Sequence, residues 1–403
     1  MIGDEQGGFR SGRGCVDQIF AMRQLIEKCG RKGKKVFAAF IDLEKAYDRI
    51  DREGLWKVLE IYGVGGKLLE GIKSFYIESR ACVRINGKKS EWFEVKGGLK
   101  QGCVMSTWLF NIYMDGVMKE VIETIGNVGV EMKMGKEKWK LSHLLYADDA
   151  VLLTESREEL QKYVKAFVDV CKKRNLKMNV NKSKVMVFER NGTSDAEIII
   201  EGETMEVVDK FLYLGSVLEK RGDCMNEINH RVLQGRTVAY VAGNMVKKHN
   251  LSLESARALY ESLLAPTILY GSETLYMKEQ EKSRVRAIEM DYLRKIVGVR
   301  RTDKVRNTMV REICGVKAGI DGRREQLTLG WFGHMNRMDD ARTVKRIYVS
   351  ECEGRGLRGR PRKEWKDGVE EYLVARGRSI NGVHRLVRDR DEWKRFVRNG
   401  MRV

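Results

Sequence analysis

Tyr146, Ala147, Asp148 and Asp149 stand between two apolar runs, Leu144-Leu145 and Val151-Leu152-Leu153. The pattern predicts two short apolar strands joined by a tight turn that carries two adjacent carboxylates. Such a pair is expensive to hold against apolar strands unless a cation faces it. The simplest such cation is a metal ion. This part of the chain therefore has to build a sheet whose end presents anionic side chains to something positive.

The 403 residues leave room for two or three domains, each with its own core. Lys and Arg number 76 against 57 Asp and Glu, a formal net charge of +19. That excess points to a polyanionic partner, nucleic acid first and anionic membrane second. No apolar run approaches the ~20 residues that span a bilayer, and the stretch Met1 to Gly8 is polar and glycine-rich, so the membrane reading is set aside and no export signal is visible. The eight cysteines form no Cys-x-x-Cys pair and none sits at zinc-ligand spacing from the five histidines. Buried thiols in a reduced intracellular compartment, nuclear or cytoplasmic, are the expectation.

Asp17 to Gly30 predicts a helix and Lys35 to Leu43 a buried strand ending at Asp42. Gly54 to Phe75 predicts helix again, broken by a turn at Gly63, Gly65 and Gly66. Ala81 to Val95 alternates and turns at Asn86-Gly87, a strong hairpin signal. Thr107 to Ile125 is mostly apolar and helical, and Ser156 with Glu159 forms a capping-box pattern ahead of an amphipathic stretch. Residues 36 to 220 thus form an α+β domain. Beyond about residue 222 strand signals fade, and Asn226 to Val297 predicts two or three helices with breaks at Pro266 and Gly271. Residues 341 to 403 hold 18 Lys plus Arg against 9 Asp plus Glu, so the basic excess is concentrated there.

Asp42 and the Asp148-Asp149 pair both stand at strand ends in apolar surroundings, far apart in sequence. A sheet that sets those strands side by side gathers three carboxylates. Such a cluster suits two divalent ions roughly 4 Å apart, one activating an attacking hydroxyl and one stabilising the leaving oxygen. Mg²⁺ fits a few carboxylates plus substrate phosphates, with Mn²⁺ as a substitute. Taken singly, Asp-Asp is as often a solvated turn, and a strand-end Asp more often a helix cap.

Together and in order, these pieces resemble the reverse transcriptase of non-LTR (LINE-like) retrotransposons. Phe40-Ile-Asp-Leu-Glu-Lys-Ala-Tyr-Asp48 matches polymerase motif A, and Gly98-Leu-Lys-Gln-Gly-Cys103 with Ser106 and Leu109-Phe-Asn111 matches motif B. Tyr146 to Asp149 matches motif C, Leu176 to Lys182 motif D, and Phe211-Leu-Tyr-Leu-Gly215 the primer grip. The resemblance implies a right-hand polymerase: partial fingers over 1-35, a palm with motifs A to E over 36-221, a helical thumb over 222-300 and a basic, mainly helical nucleic-acid-binding region over 301-403. It implies an RNA template, a DNA primer and deoxynucleoside triphosphates as partners.

Carried over residue by residue, the resemblance makes Asp42 and Asp148 metal ligands supported by Asp149. It makes Tyr47 a steric gate that leaves no room for a 2′-hydroxyl, where the residue alone would read as a core aromatic. Gln101 and Gly102 line the nucleotide pocket. Lys182 stands near the triphosphate and protonates pyrophosphate, or is a solvated lysine. Phe211, Leu212 and Gly215 form the primer grip, although Phe211 and Leu212 equally suit a core strand. Gln6-Gly-Gly-Phe-Arg10 with Gly12-Arg13 resembles a fingers motif, which makes Arg10 a triphosphate contact.

The chain departs from the family in three places. Further fingers strands and an endonuclease domain are expected upstream, so it reads as an N-terminally truncated copy served by a separately encoded endonuclease. Val104 and Thr107 replace the family's prolines in motif B, which softens that loop without removing chemical groups. Leu357-Arg-Gly-Arg-Pro-Arg-Lys363 resembles an AT-hook, with Arg358, Arg360 and Arg362 suited to a narrow minor groove, or is a solvated basic linker. Trp331, Phe332, His334 and Trp365 read as core of a small helical domain. A non-catalytic nucleic-acid-binding remnant competes with the polymerase reading. An RNA-dependent RNA polymerase is disfavoured by Tyr47 and by the alanine before the aspartates.

Overall fold

The computed structural model describes residues 2–399 except 191, 193–195, 355, 358 and 360. The chain divides into two compact units, one made of Met1–Gln18, Gly33–Asp209 and Ser350–Gly354, the other of Ile19–Lys32, Lys210–Val349 and Arg355–Val403. Helices and strands mix in the first; the second is almost wholly helical after one hairpin.

In the first unit the organising element is strand β1, Val36–Ile41, buried at all six positions. A run of apolar residues without alternation makes a strand that can only lie inside a sheet covered on both faces. Helix α1, Cys15–Arg31, which belongs to the second unit from Ile19 on, precedes it in the chain, and α2, Arg52–Ile61, and α3, Gly66–Ser74, follow it, turning at Gly63 to Gly66 as the glycines predict. Helix α4, Val104–Ile125, starts three residues earlier than its apolar run suggests.

The turn motif is flanked by β2, His143–Tyr146, and β3, Asp149–Thr154. Helix α5, Arg157–Lys173, opens on Ser156, whose side chain accepts a hydrogen bond from the Glu159 amide. Strands β4, Lys184–Phe188, and β5, Glu206–Val207, complete a five-stranded sheet in the order β5-β4-β1-β3-β2, antiparallel except for β4 with β5. Phe37, Ala39 and Ile41 of β1 pack with Leu152, Val185 and Val187 against Leu160, Val164 and Phe167 of α5 and Phe110, Tyr113 and Met114 of α4. Truncating a fully buried aromatic such as Phe167 costs about 3–5 kcal/mol in such a core.

The alternating stretch between β1 and α4 folds as two nested two-residue ladders, Arg80–Ala81 with Phe93–Glu94 and Arg84–Ile85 with Lys88–Lys89. Its tip is the expected tight turn, with φ of +49° at Asn86 and +82° at Gly87, the signs a type I′ turn requires.

The second unit opens with the hairpin β6, Lys210–Tyr213, and β7, Ser216–Glu219. Helices α6, Met225–Lys248, α7, Leu253–Leu259, α8, Ala265–Leu269, and α9, Glu279–Val297, follow. Gly271 ends α8 in the left-handed conformation as expected, whereas Pro266 does not break the helical run. It sits at the start of α8 behind a π-turn at Tyr260–Leu264, where its missing N–H is not needed. Further on, Phe20, Trp331, Phe332 and Trp365 form an edge-to-face and tilted aromatic cluster. Trp331, Phe332 and Trp365 are buried, as expected of core residues, and His334 is exposed at the edge of the cluster.

Candidate active site

The β1–β3 ladder ends with Ile41 opposite Ala150, so Asp42 and Asp149 leave the sheet side by side. The β2–β3 pair closes with Tyr146 opposite Asp149, leaving Ala147 and Asp148 as a two-residue turn in which Ala147 has a φ of +58°. Two strands far apart in sequence thus bring three carboxylates to one sheet end. Their electrostatics register the crowding. Burial and then the charges of Asp148 and Asp42 push Asp149 up to about 6, and burial with the charge of Asp42 raises Asp148. No Lys or Arg among the described residues pairs with any of the three.

An oxygen-only donor set with uncompensated negative charge is the kind that takes a hard divalent cation. Among the described residues, however, no three His, Cys, Asp or Glu side chains are drawn together as a ready-made metal shell.

Tyr47 stands beside this cluster. Its ring stacks flat on Phe110 of α4, and burial followed by the charge of Asp148 pushes its phenol up to about 12. The hydroxyl is buried without a hydrogen-bond partner. The segment that opens α4 docks on the residues after β1: the Leu99 amide donates to the Tyr47 carbonyl at 2.9 Å, and the Gly98 amide to Ile50 at 2.9 Å. A side chain at Gly98 would strike the Asp48 backbone at 2.7 Å, and its φ is +75°, so only glycine fits. Gln101 is exposed and donates to Asp48 Oδ1 at 3.2 Å, and Gly102 has open space where a Cβ would project.

The segment entering β4 runs along the end of β1. The Asn179 amide donates to the Asp42 carbonyl at 2.8 Å, and the Asp42 amide donates to Ser183 Oγ at 3.0 Å. Ser183 is fully buried and so fixes the backbone that carries Asp42. Lys182 immediately before it is exposed, and its amide closes a turn onto Asn179 Oδ1. Arg10 donates to the carbonyls of Gly3 at 2.6 Å and Gln6 at 3.1 Å. Sequence reasoning had no signal for Ser183, because a serine in a polar turn reads as solvated. Gln6 appeared only as one letter of a motif.

A family model described as "Reverse transcriptase (RNA-dependent DNA polymerase)" matches residues 1–218. The chain belongs to the reverse transcriptase family. It is 27% identical over 276 residues to a transposon-derived protein of Caenorhabditis elegans, covering 64% of this chain and 95% of the relative. It is 24% identical over 302 residues to the RNA-directed DNA polymerase from mobile element jockey of Drosophila melanogaster, covering 73% of this chain and 32% of the relative. This chain therefore spans about a third of the jockey polymerase. A telomerase structure from Candida albicans, solved with a fragment of telomeric RNA, is 12% identical with a TM-score of 0.38, covering 85% of this chain and 53% of the telomerase. The relatives named for mobile elements support the resemblance to the reverse transcriptases of non-LTR retrotransposons.

The remaining expected site residues of this reverse transcriptase lie in the second unit. Phe211 and Leu212 are on β6 opposite Leu218 and Val217, with Phe211 half-buried and Leu212 exposed. Leu214 and Gly215 form the turn, with φ of +46° and +78°. Arg231 of α6 donates to the Gly215 carbonyl, Tyr270 donates to the Leu214 carbonyl at 2.7 Å, and the Val217 amide donates to Glu227 at 2.5 Å. Arg358 and Arg360 lie outside the described residues, while the exposed Arg362 donates to the Arg221 carbonyl at 3.2 Å. No helix among the described residues is long and apolar enough to cross a membrane.

Proposed function

We propose that the chain extends a DNA primer on an RNA template, as the polymerase part of a non-LTR retrotransposon. The observation that carries this reading is the β1–β3 register, which delivers Asp42, Asp148 and Asp149 to one sheet end with no basic partner among the described residues. Asp42 and Asp148, supported by Asp149, would hold divalent ions, Mg²⁺ or Mn²⁺. When bound, such ions would lower the pKa of the primer hydroxyl and neutralise charge on the leaving pyrophosphate. The protein's own part is positioning and exclusion.

Tyr47, backed by Phe110, presents a rigid ring edge that would reject a 2′-hydroxyl by lack of space. Gly102 would let the nucleotide approach the backbone, with Gln101 alongside. Lys182 is solvent-exposed and free to reach a triphosphate and give a proton to pyrophosphate. Phe211, Leu212 and Gly215 would hold the primer end. Arg10 is the weaker candidate for a phosphate contact, since its donation to Gly3 and Gln6 gives it the task of holding a loop. Arg358, Arg360 and Arg362 would add salt-sensitive affinity for DNA. Fingers, palm and thumb over 1-35, 36-221 and 222-300, with the basic region over 301-403, remain the proposed division of labour. A separately encoded endonuclease belongs to the same proposal.

One observation favours a second reading, a nucleic-acid-binding remnant: the formal net charge of +19 serves binding of a polyanion without any turnover. Primer extension on an RNA template with Mg²⁺ and deoxynucleotides separates the two, run beside an Asp148→Ala, Asp149→Ala variant. Extension lost in the variant is the expected result. No extension by the unmodified chain, with salt-sensitive RNA binding retained, would overturn the polymerase reading.

A further inference from the structure

The turn that carries Asp148 is held from outside the sheet by one side chain. Gln6 is buried to 1% exposure, and its carboxamide seals the Ala147 peptide units at both ends. Its Oε1 accepts from the Ala147 amide at 2.9 Å and from the Gly8 amide at 2.8 Å, while its Nε2 donates to the Ala147 carbonyl at 3.3 Å. The loop bearing Gln6 is itself laced to β2. The Leu145 amide donates to the Glu5 carbonyl at 3.0 Å and the Gly7 amide to the Leu145 carbonyl at 2.8 Å, making a short parallel bridge. Gln18 ties the same two carbonyls together, donating to Glu5 at 3.0 Å and Leu145 at 3.2 Å.

Two further contacts make this a clamp with no slack. A Cβ at Gly8 would lie 2.4 Å from the Ala147 nitrogen, so the glycine backbone is pressed against the turn. Asn111 of α4, fully buried, donates to the Gly8 carbonyl at 2.7 Å and fixes the loop from the other side. The residue so enclosed is the one with a positive φ, a conformation that alanine adopts only when its surroundings impose it. Every polar group of the Ala147 backbone is thus spent on Gln6, and the direction in which Asp148 leaves the turn follows from that.

We propose that Gln6 is a positioning residue for the Asp148 turn: it locks Ala147 in its left-handed conformation and thereby sets where the metal-binding carboxylates point. The inference rests on the polymerase reading and goes beyond it by assigning a task to a side chain outside the carboxylate cluster. Gln6 touches no substrate. Loss of its hydrogen bonds frees the turn to flip its peptide, and an error of about 1 Å in a reacting group costs on the order of 10²-fold in rate.

The test is single-nucleotide primer extension by the full chain at saturating RNA–DNA hybrid, comparing the unmodified protein with Gln6→Met and Gln6→Glu. Gln6→Met keeps the volume and removes all three hydrogen bonds, and Gln6→Glu keeps the two accepted ones. The expected result is kcat lowered tenfold or more in Gln6→Met and less in Gln6→Glu, with KM for deoxynucleotide within threefold and a steeper requirement for Mg²⁺. Equal kcat in all three would overturn the proposal. Should Gln6→Met fail to fold, Gln6→Leu, which also removes all three hydrogen bonds, decides in its place, an unchanged kcat again overturning the proposal. Amide exchange at Ala147 gives a reading independent of catalysis. Protection lost in Gln6→Met while the β1 amides stay protected supports the clamp, and unchanged protection overturns it. An unmodified chain that fails to extend but shows that exchange pattern removes the polymerase reading and leaves the clamp standing.

Discussion

Tyr47 lies flat on Phe110, their ring centroids 4.3 Å apart and their planes within 6° of parallel. The pair joins the segment after β1 to helix α4 and leaves the Tyr47 ring no freedom to swing. A gate that works by exclusion needs that rigidity, because a mobile ring would yield to the larger sugar. Tyr47→Ala should therefore admit ribonucleotides while leaving deoxynucleotide incorporation within about tenfold. Phe110→Ala, which removes only the backing, should relax the same selectivity by a smaller factor and destabilise the core by about 3–5 kcal/mol. The ratio of ribonucleotide to deoxynucleotide incorporation measures both. Equal use of the two sugars by the unmodified protein would remove the gate assignment.

Asp149 at about 6 and the raised Asp148 show three carboxylates held together against their own repulsion. Asp149→Asn should raise the melting temperature of the metal-free protein at neutral pH and abolish extension. Calorimetry with and without Mg²⁺ tests the cause. The ion should raise the melting temperature of the unmodified chain more than that of the variant, because ligand binding to the folded state stabilises it.

Arg231 and Glu227 form an ion pair with side chains 7% and 1% exposed, and both reach the β6–β7 hairpin. Removing one partner leaves a buried charge alone. Arg231→Met should cost about 3–5 kcal/mol in denaturant unfolding of the second unit, and Glu227→Leu with Arg231→Met together should cost less than either alone. If the hairpin holds the primer, Arg231→Met also shortens products per binding event, as a single-cycle extension assay with a trap would show.

Glu27 of α1 is pushed up to about 7 by burial and by the charge of Glu364, against the lowering effect of the Trp365 amide, Gln24 and Lys28. From about pH 4.5, where the unfolded carboxyl titrates, to about 7, the folded chain keeps a proton that the unfolded chain has released. Stability therefore falls across that window and levels off above it. Glu27→Gln should flatten the decline and stabilise the protein at pH 8 by on the order of 1–2 kcal/mol, the shift being discounted for the partly accessible side chain. Melting temperatures from pH 5 to 8 for both proteins check the sign.

Much of this was legible along the chain. The burial of β1 follows from its unbroken apolar run, the turn at Asn86-Gly87 from two residues that accept positive φ, and the α5 start from Ser156 and Glu159, because each is a local preference written in a few adjacent residues. The carboxylates at 42, 148 and 149 could be singled out because charge beside apolar strands has to be compensated. What stayed hidden were partners set by distant contacts: Ser183 under the Asp42 amide, Phe110 behind Tyr47, Asn111 and Gln6 around Ala147. A buried serine, asparagine or glutamine looks solvated until the backbone it satisfies is known. Pro266 shows the same limit in reverse, a helix breaker on local grounds that a π-turn absorbs. Local patterns along the chain were enough to predict the main strands, the turn at Asn86-Gly87 and the charged tips, since those depend on residues close in the chain. Where Asp42 meets Asp149 and what holds Ala147 depend on the folded chain, since register and buried hydrogen bonds join residues more than a hundred positions apart.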